Sequence, residues 1–416
     1  MVPKGWTPSQ IGDVAKFSSG GTPSKQNADY WGGTEPWISG KDLKTHYLET
    51  SIDALTEAGF QAAKKAPKGA TLVLVRGMTL LKDFPVGYAT REVAFNQDVK
   101  ALVPAKNVDG LFLSFLLVAE KHKILQLVST AGHGTGRLDT HSLQEYPVNI
   151  PPLPEQKKIA QILSTWDKAI ATTEQLLANS QQQKKALMQQ LLTGKKRLGM
   201  PDNSYDFKKT RYGIIPKDWE YPAIKDVCTQ VTEKNTESAD YPVLSCSKYD
   251  GFVDSLKYFK KKVYSDDTSG YRLIHRGCFG FPSNHIEEGS IGLQNLYDTG
   301  IVSPIYVIFR AKPKKVENTY LYAVLKTDHY RQIFGAATNA SVDRRGSLRW
   351  KEFSLIHVPL PPLEEQQRIA VVLSTADQEI SALQQKLEAL KQEKKALMQQ
   401  LLTGKRRVKV DDKEVA

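Results

Sequence analysis

Pro201, Asp202, Asp206 and Lys208 have the residue types of a PD…DxK nuclease centre, in which two carboxylates and a lysine gather a divalent metal. They crowd into a short polar stretch where no strand can set two carboxylates around one ion, so no nuclease is read from them. A DNA adenine methylase needs an [DNS]PP[YFW] loop to grip a flipped base. The nearest match, Asn149-Ile150-Pro151-Pro152-Leu153, has Ile after the Asn and Leu after the prolines, and it reads as a helix stop. A GxxxxGK[ST] phosphate loop is missing from the sequence, so ATP hydrolysis is not encoded. Gly132, Gly134 and Gly136 form a G-x-G-x-G run beside His133 and Arg137. With no strand before it and no helix after it, the run reads as a loop suited to touching phosphate, not as a dinucleotide fingerprint. Cys228, Cys246 and Cys278 form no CxxC pair and are odd in number, which favours buried free thiols over a zinc site or a disulfide framework.

The chemistry that remains is readout. A formal charge of +12 and a pI near 9.3 favour a polyanionic partner. Sequence readout of nucleic acid needs Arg, Lys, Asn, Gln, Ser or Thr at base edges, and positioning needs cations at phosphates. In the first half the candidates are Ser39, Lys41, Lys44, His46, Arg76, Lys82, His133 and Arg137. In the second half, Lys248, Tyr249, Lys260, Lys261, Ser283, Asn284 and His285 mix such groups with aromatics, and Asn339, Arg344 and Arg345 follow on a loop. The acidic stretch from Ser265 to Thr268 would repel phosphate and is expected to face away.

The elements that position these groups are organised by an internal repeat. PPLPEQKKIAQILSTWDKAI (151–170) returns as PPLEEQQRIAVVLSTADQEI (361–380), and KKALMQQLLTGK occurs unchanged at 184–195 and 394–405. The offset is the same at both ends, so each copy is one rigid unit. Apolar or neutral residues fall at Ile159, Leu163, Trp166, Ile170, Thr173, Leu177, Ser180, Leu187 and Leu191, and again at Ile369, Leu373, Ala376, Ile380, Leu383, Leu387, Leu390, Leu397 and Leu401. Alternating steps of three and four are the seam of a two-helix coiled coil. Lys184 and Lys394 are the charged seam position in each copy and are expected to pin register. The proline pairs stop anything helical upstream, Glu155 and Glu365 suit the first turn, and Thr-Gly followed by cations ends each helix. The competing expectation is an ordinary amphipathic helix packed on its own half.

Outside the coils the chain reads as mixed and mostly β. APKGATLVLVRG (66–77) and GIVSPIYVIFR (300–310) are β-branched or aromatic runs bounded by Gly and Pro, and LFLSFLLVAEKHKIL reads as a helix between strands. A weaker echo opens each half, VPKGWTPSQIGDV (2–14) and IPKDWEYPAIKDV (215–227).

Taken in order, these strings resemble the specificity subunits of type I restriction-modification systems over essentially the whole chain. They include GGTPS (20–24), PWISGKDL (36–43), AFNQDVKAL (94–102) and both LPP-x-EQ coil entries, with SGYRLIHRG (269–277), GSIG (289–292) and GIVSPIY (300–306) in the second half. The resemblance implies an α+β chain: two mixed, mostly β target-recognition domains with small helices, joined by two long antiparallel coiled-coil helices in a pseudo-two-fold arrangement. The expected boundaries are 1–150 for the first recognition domain, 151–198 for the first coil, 199–211 for a linker, 212–360 for the second recognition domain, 361–408 for the second coil and 409–416 for a tail.

It further implies a non-catalytic chain that binds double-stranded DNA, each domain reading half of a split site. Methyltransferase subunits and a restriction/translocase subunit are the implied protein partners. S-adenosylmethionine, ATP and magnesium are expected on those partners and not here. No apolar run approaches the eighteen or so residues of a spanning helix and the start lacks a signal-peptide core, so a cytoplasmic protein without membrane contact is expected. Two other classes remain open at this point: a coiled-coil adaptor without sequence readout, and a self-sufficient methyltransferase. The second coil is expected to return the chain to the start of the first domain, and coil length to set the spacing of the two half-sites.

Overall fold

A computed structural model describes residues 2–131, 134–201, 204–236, 240–341 and 344–410. The chain forms two compact units: Met1–Glu174 with Gln385–Ala416, and Gln175–Gln384. Both cuts fall inside the long helices, Leu153–Leu191 and Leu363–Leu401, so each unit holds one globular body and a stretch of both helices.

In the first unit a five-stranded sheet runs in the order Ala15–Ser19, Val99–Pro104, Thr71–Leu74, Val86–Ala89, Tyr47–Leu48. Its first four strands are antiparallel neighbours, and the short last strand joins parallel. Thr71–Leu74 is buried throughout, as its unbroken apolar run requires, while Val99–Pro104 alternates more loosely. Helix Gly110–Ile124 packs on this sheet. Asp109 caps it by accepting the Phe112 N–H at 2.8 Å, and Lys121, His122 and Lys123 end it where the helix dipole is negative. Strand Thr7–Gln10 pairs with Pro147–Ile150, which closes the globular body with its own first and last strands.

The second unit repeats the central frame. Cys228–Val231, Tyr306–Ala311 and Cys278–Pro282 stand where Ala15–Ser19, Val99–Pro104 and Thr71–Leu74 stand in the first, and Gly292–Leu293 extends the sheet. Phe279, Phe281, Phe309 and Phe353 stack into its core. Cys228 and Cys278 are buried and Cys246 is half-buried, and all three are free thiols. Burial pushes the thiols of Cys228 and Cys246 up to about 12, which keeps them protonated and unreactive.

The helices belong to both the frame and the cores. Ile159, Ala160, Leu163, Leu401 and Leu402 join the first unit's core, and Leu191, Leu192, Ile369 and Leu373 join the second's. Between those ends, Trp166, Ile170, Leu177, Leu187, Ala376, Ile380, Leu383, Leu387, Leu390 and Leu397 are half-buried, and Thr173 and Ser180 are buried. The helices run antiparallel in each unit. In the second, Lys184 pairs with Asp377 and the Ser180 hydroxyl donates to Glu379 at 3.0 Å. In the first, Lys394 pairs with Asp167 and Lys391 with Glu174 at 2.7 Å. The seam lysines therefore have acidic partners on the opposite helix, a register-setting device.

Candidate nucleic-acid interface

Each helix entry and exit is built by motif residues that the repeat conserves within the chain. Gln156 is buried; its amide donates to the carbonyls of Pro151 (2.8 Å) and Asn107 (3.1 Å), and its oxygen accepts from the Asp109 N–H (2.8 Å). Gln366 does the same with Pro361, Lys315 and Glu317 at 2.8, 3.0 and 2.9 Å. The glutamine of each PP-x-x-EQ motif thus ties the start of a long helix to the start of the helix lying on the sheet. At the exits, Gly194 and Gly404 both adopt φ +68, and a Cβ there would lie 2.3 Å from Pro216 Cγ and 2.4 Å from Pro3 Cγ, respectively. Arg197 then meets Glu365 and Asp218, and Arg407 meets Glu155 and the carbonyl of Lys4. The last helix accordingly ends against the opening residues of its own first domain.

On this frame each unit holds a hairpin beside the turn that follows the central strand. In the first unit, Val128–Ala131 and Thr135–Leu138 pair, and the latter also pairs with Arg76–Gly77. The Leu138 N–H donates to the Val75 carbonyl, as the Leu348 N–H donates to the Ser283 carbonyl in the second unit. Arg76 and Arg137, distant in sequence, become direct cross-strand partners, and both are exposed. Like charges so placed repel, and the arrangement suits an anion between or above them. Lys82 is exposed at the end of the adjoining 3-10 turn, Met78–Leu81. His133 lies outside the described residues.

In the second unit the equivalent turn carries Ser283, Asn284 and His285, all half-buried. His285 Nδ1 lies 3.1 Å from Glu288 Oε1. Asn284 Oδ1 and Glu287 Oε2 are shielded from solvent and lack a hydrogen-bond partner among the described residues. His285, Glu287 and Glu288 bring three possible metal-ligand atoms within 4.8 Å of one another, but the imidazole is already engaged by Glu288. Asn339 lies on strand Asn339–Ser341, and Arg344 and Arg345 lie on Arg344–Ser347; their side chains are outside the described residues. Hairpin Leu244–Ser247/Gly251–Asp254 presents Lys248 and the 81% exposed Tyr249 at its tip. Lys326 joins that tip to the His285 turn, donating to the carbonyls of Lys248 (2.8 Å) and Gly289 (3.0 Å). Desolvation lowers its pKa from the usual lysine value. Lys260 and Lys261 are exposed just past helix Ser255–Phe259, with Lys260 in the left-handed region at φ +54.

Several sequence expectations find other duties. Ser39 is buried, and its backbone N–H and hydroxyl both donate to Asp42, at 2.9 and 2.8 Å, so it shapes a turn and offers nothing to a ligand. His46 stacks on Phe115 with centroids 4.9 Å apart and lies 3.1 Å from the Ser114 hydroxyl, next to Asp167 and Lys394. It packs the first domain onto the helix pair. Lys41 lies 3.5 Å from Asp53, and Lys44 is exposed. In the acidic stretch, Asp266 pairs with Lys262, and Asp267 accepts from Ser269. Lys208, the lysine of the nuclease-like string, donates to the carbonyls of Lys217 and Trp219 at 3.0 and 2.5 Å and serves the fold; Asp202 lies outside the described residues. Sequence reading missed Gln156, Gln366, Arg197, Arg407 and Lys326. The repeat of EQ and of the basic tail was the available signal for the first four.

The sequence that builds this doubled frame matches the family of type I restriction modification DNA specificity domains, once over residues 3–179 and again over 216–392. The chain belongs to that family. Among its relatives, the type I restriction enzyme EcoR124I/EcoR124II specificity subunit of Escherichia coli is 29% identical over 160 residues, 38% of this chain and 40% of that protein. The MjaVIII specificity subunit of Methanocaldococcus jannaschii is 26% identical over 419 residues, covering 98% of this chain and 94% of its own. The crystal structure of the type I restriction-modification system S subunit from M. genitalium shares the fold with a TM-score of 0.59 at 14% identity, over 97% of this chain and 99% of that one. Two tandem specificity domains in one chain account for the repeat offset that unites both helices, both glutamine ties and both arginine latches. Among the described residues no helix is long and apolar enough to cross a membrane.

Proposed function

We propose that this chain is the DNA-specificity subunit of a type I restriction-modification enzyme, each unit reading one part of a bipartite duplex site. The observation that carries this reading is one frame furnished twice with different chemistry. The first unit presents Arg76, Arg137 and Lys82 at its hairpin and the adjoining turn, and the second offers Lys248 and Tyr249 at a hairpin tip and Ser283, Asn284 and His285 at a turn. A cation-rich surface positions phosphates, and amide, hydroxyl and imidazole groups at a turn read base edges. Catalysis falls to partners in this reading: methyltransferase subunits using S-adenosylmethionine, and an ATP- and magnesium-dependent translocase, with the chain acting in the cytoplasm.

Because Thr7–Gln10 and Pro147–Ile150 close the first body, residues 7–150 form a natural cassette that leaves Pro3 and Trp6 against Gly404. Exchanging that cassette for the same segment of another family member, and sequencing methylated genomic DNA, should change one half of the modified motif. Methylation that loses sequence preference, or a motif altered in both halves, would overturn the proposal.

A further inference from the structure

Met78 and Leu81 are 75% and 46% exposed, on the turn that follows the strand of Arg76, the cross-strand partner of Arg137. Among the described residues Met78 is the most exposed large aliphatic side chain, and the turn holding it is rigid. Leu80 between them is fully buried beneath Gly136, where a Cβ would approach Leu80 Cβ to 2.8 Å. The N–H groups of Lys82 and Asp83 both donate to the Thr79 carbonyl at 2.9 Å, and Asp83 is held by Lys121 at 2.9 Å. The turn is therefore pinned by its inward leucine and presents two apolar side chains outward. Arg76 and Lys82 flank them in sequence, and Arg137 stands across the strand pair.

An apolar tip with Arg76 and Lys82 on either side of it in the chain matches a duplex, which offers phosphates on both sides of a stack of flat apolar faces; a protein surface would have to supply acids around an apolar socket. Side chains of this type wedge into base steps and kink the helix, while neighbouring cations hold the backbone. We infer that Met78, supported by Leu81, inserts at a base step within the half-site read by the first unit. Arg76, Arg137 and Lys82 clamp the flanking phosphates. Within residues 283–289, the equivalent turn of the second unit, no large apolar side chain is exposed: Ile286 is buried like Leu80, and Asn284, His285, Glu287 and Glu288 flank it. Recognition is thus asymmetric: deformation of one half-site, hydrogen bonding at the other.

The inference rests on the reading of this chain as a DNA-specificity subunit, and the test separates the two. The full chain, co-purified with the proteins it assembles with, is bound to duplexes carrying the motif found by methylation sequencing. 2-Aminopurine is placed in turn at each position of the first half-site, and end-to-end energy transfer reports bending. Met78→Ala should abolish the fluorescence rise at one step, reduce the bend and weaken specific binding about tenfold, leaving non-specific binding unchanged. The same label scanned through the second half-site should be unaffected. A wild-type complex that selects its motif while Met78→Ala and the Met78→Ala/Leu81→Ala double variant keep the same fluorescence, bend and affinity would overturn the wedge alone. Loss of co-purifying proteins from these variants would assign the tip to protein docking and also overturn it. A wild-type complex without motif preference would defeat the underlying reading.

Discussion

Arg197 and Glu365 face each other through two hydrogen bonds, Nε to Oε1 at 2.9 Å and Nη2 to Oε2 at 2.5 Å, with both side chains almost wholly shielded from water. The pair ties the end of the first long helix to the beginning of the second. Its repeat image is Arg407 with Glu155, where the arginine is 42% exposed. The carboxylates raise the pKa of both guanidinium groups, the hydrogen bonds that each arginine donates to its glutamate being the main cause. Arg197→Ala leaves the buried Glu365 carboxylate without its cation, with the Trp219 indole N–H at 3.3 Å still donating to it, and should cost about 3–5 kcal/mol. Arg407→Ala should cost clearly less, because water reaches that site. Denaturant unfolding of the two variants checks the ranking; equal losses would contradict it.

The glutamine ties need a side chain that both donates and accepts. Gln366→Glu keeps the shape but removes the donors to the Pro361 and Lys315 carbonyls and places a carboxylate against them. A loss of more than about 2 kcal/mol is expected. Gln156→Glu should behave alike, since its partners are the same in kind. Thermal unfolding of both variants should show comparable drops.

His46 supplies a pH dependence of known sign. Burial, only partly opposed by Asp167 and reinforced by Lys394, holds its imidazole down at about 4, against an ordinary value of 6.5. The fold accepts the neutral ring, so this contribution to stability is whole above pH 6.5 and declines as pH falls toward 4, because the unfolded chain takes up the proton first. Between pH 6.5 and 5 the loss from this group should be on the order of 2 kcal/mol. Unfolding of His46→Gln at pH 7.5 and 5 should show a smaller difference than the wild type.

Arg76 and Arg137 should act on phosphate without regard to sequence. Replacing either by Ala is expected to lower affinity for specific and random duplexes alike and to reduce the slope of log affinity against log salt by about 1. Anisotropy titrations over a salt series measure both. A changed methylation motif with an unchanged slope would instead mark a base contact.

Much of the frame was legible because repetition and periodicity are properties of the chain itself. The three-and-four spacing marks the shielded stripe of both helices, and the β-branched runs at 66–77 and 300–310 lie on strands. The ligand surface was less legible, since its parts meet only through sheet register. Nothing local to Arg76 or Arg137 announces that they are cross-strand neighbours. His46 and Ser39 misled because residue type records chemical capacity and not burial. Met78 passed unnoticed because an apolar residue in a sequence reads as core until its exposure is seen.

Lys326 holds the Lys248 turn and the Gly289 turn by their carbonyl oxygens. A clasp on the main chain is indifferent to side-chain identity, so residues at the tip can be exchanged while the loop keeps its course. In a lineage under pressure to recognise new sequences, such an anchor separates the inheritance of shape from the inheritance of specificity. Under the proposed DNA-reading role, substitutions at Lys248 or Tyr249 would alter what is read without first having to re-establish how the loop folds.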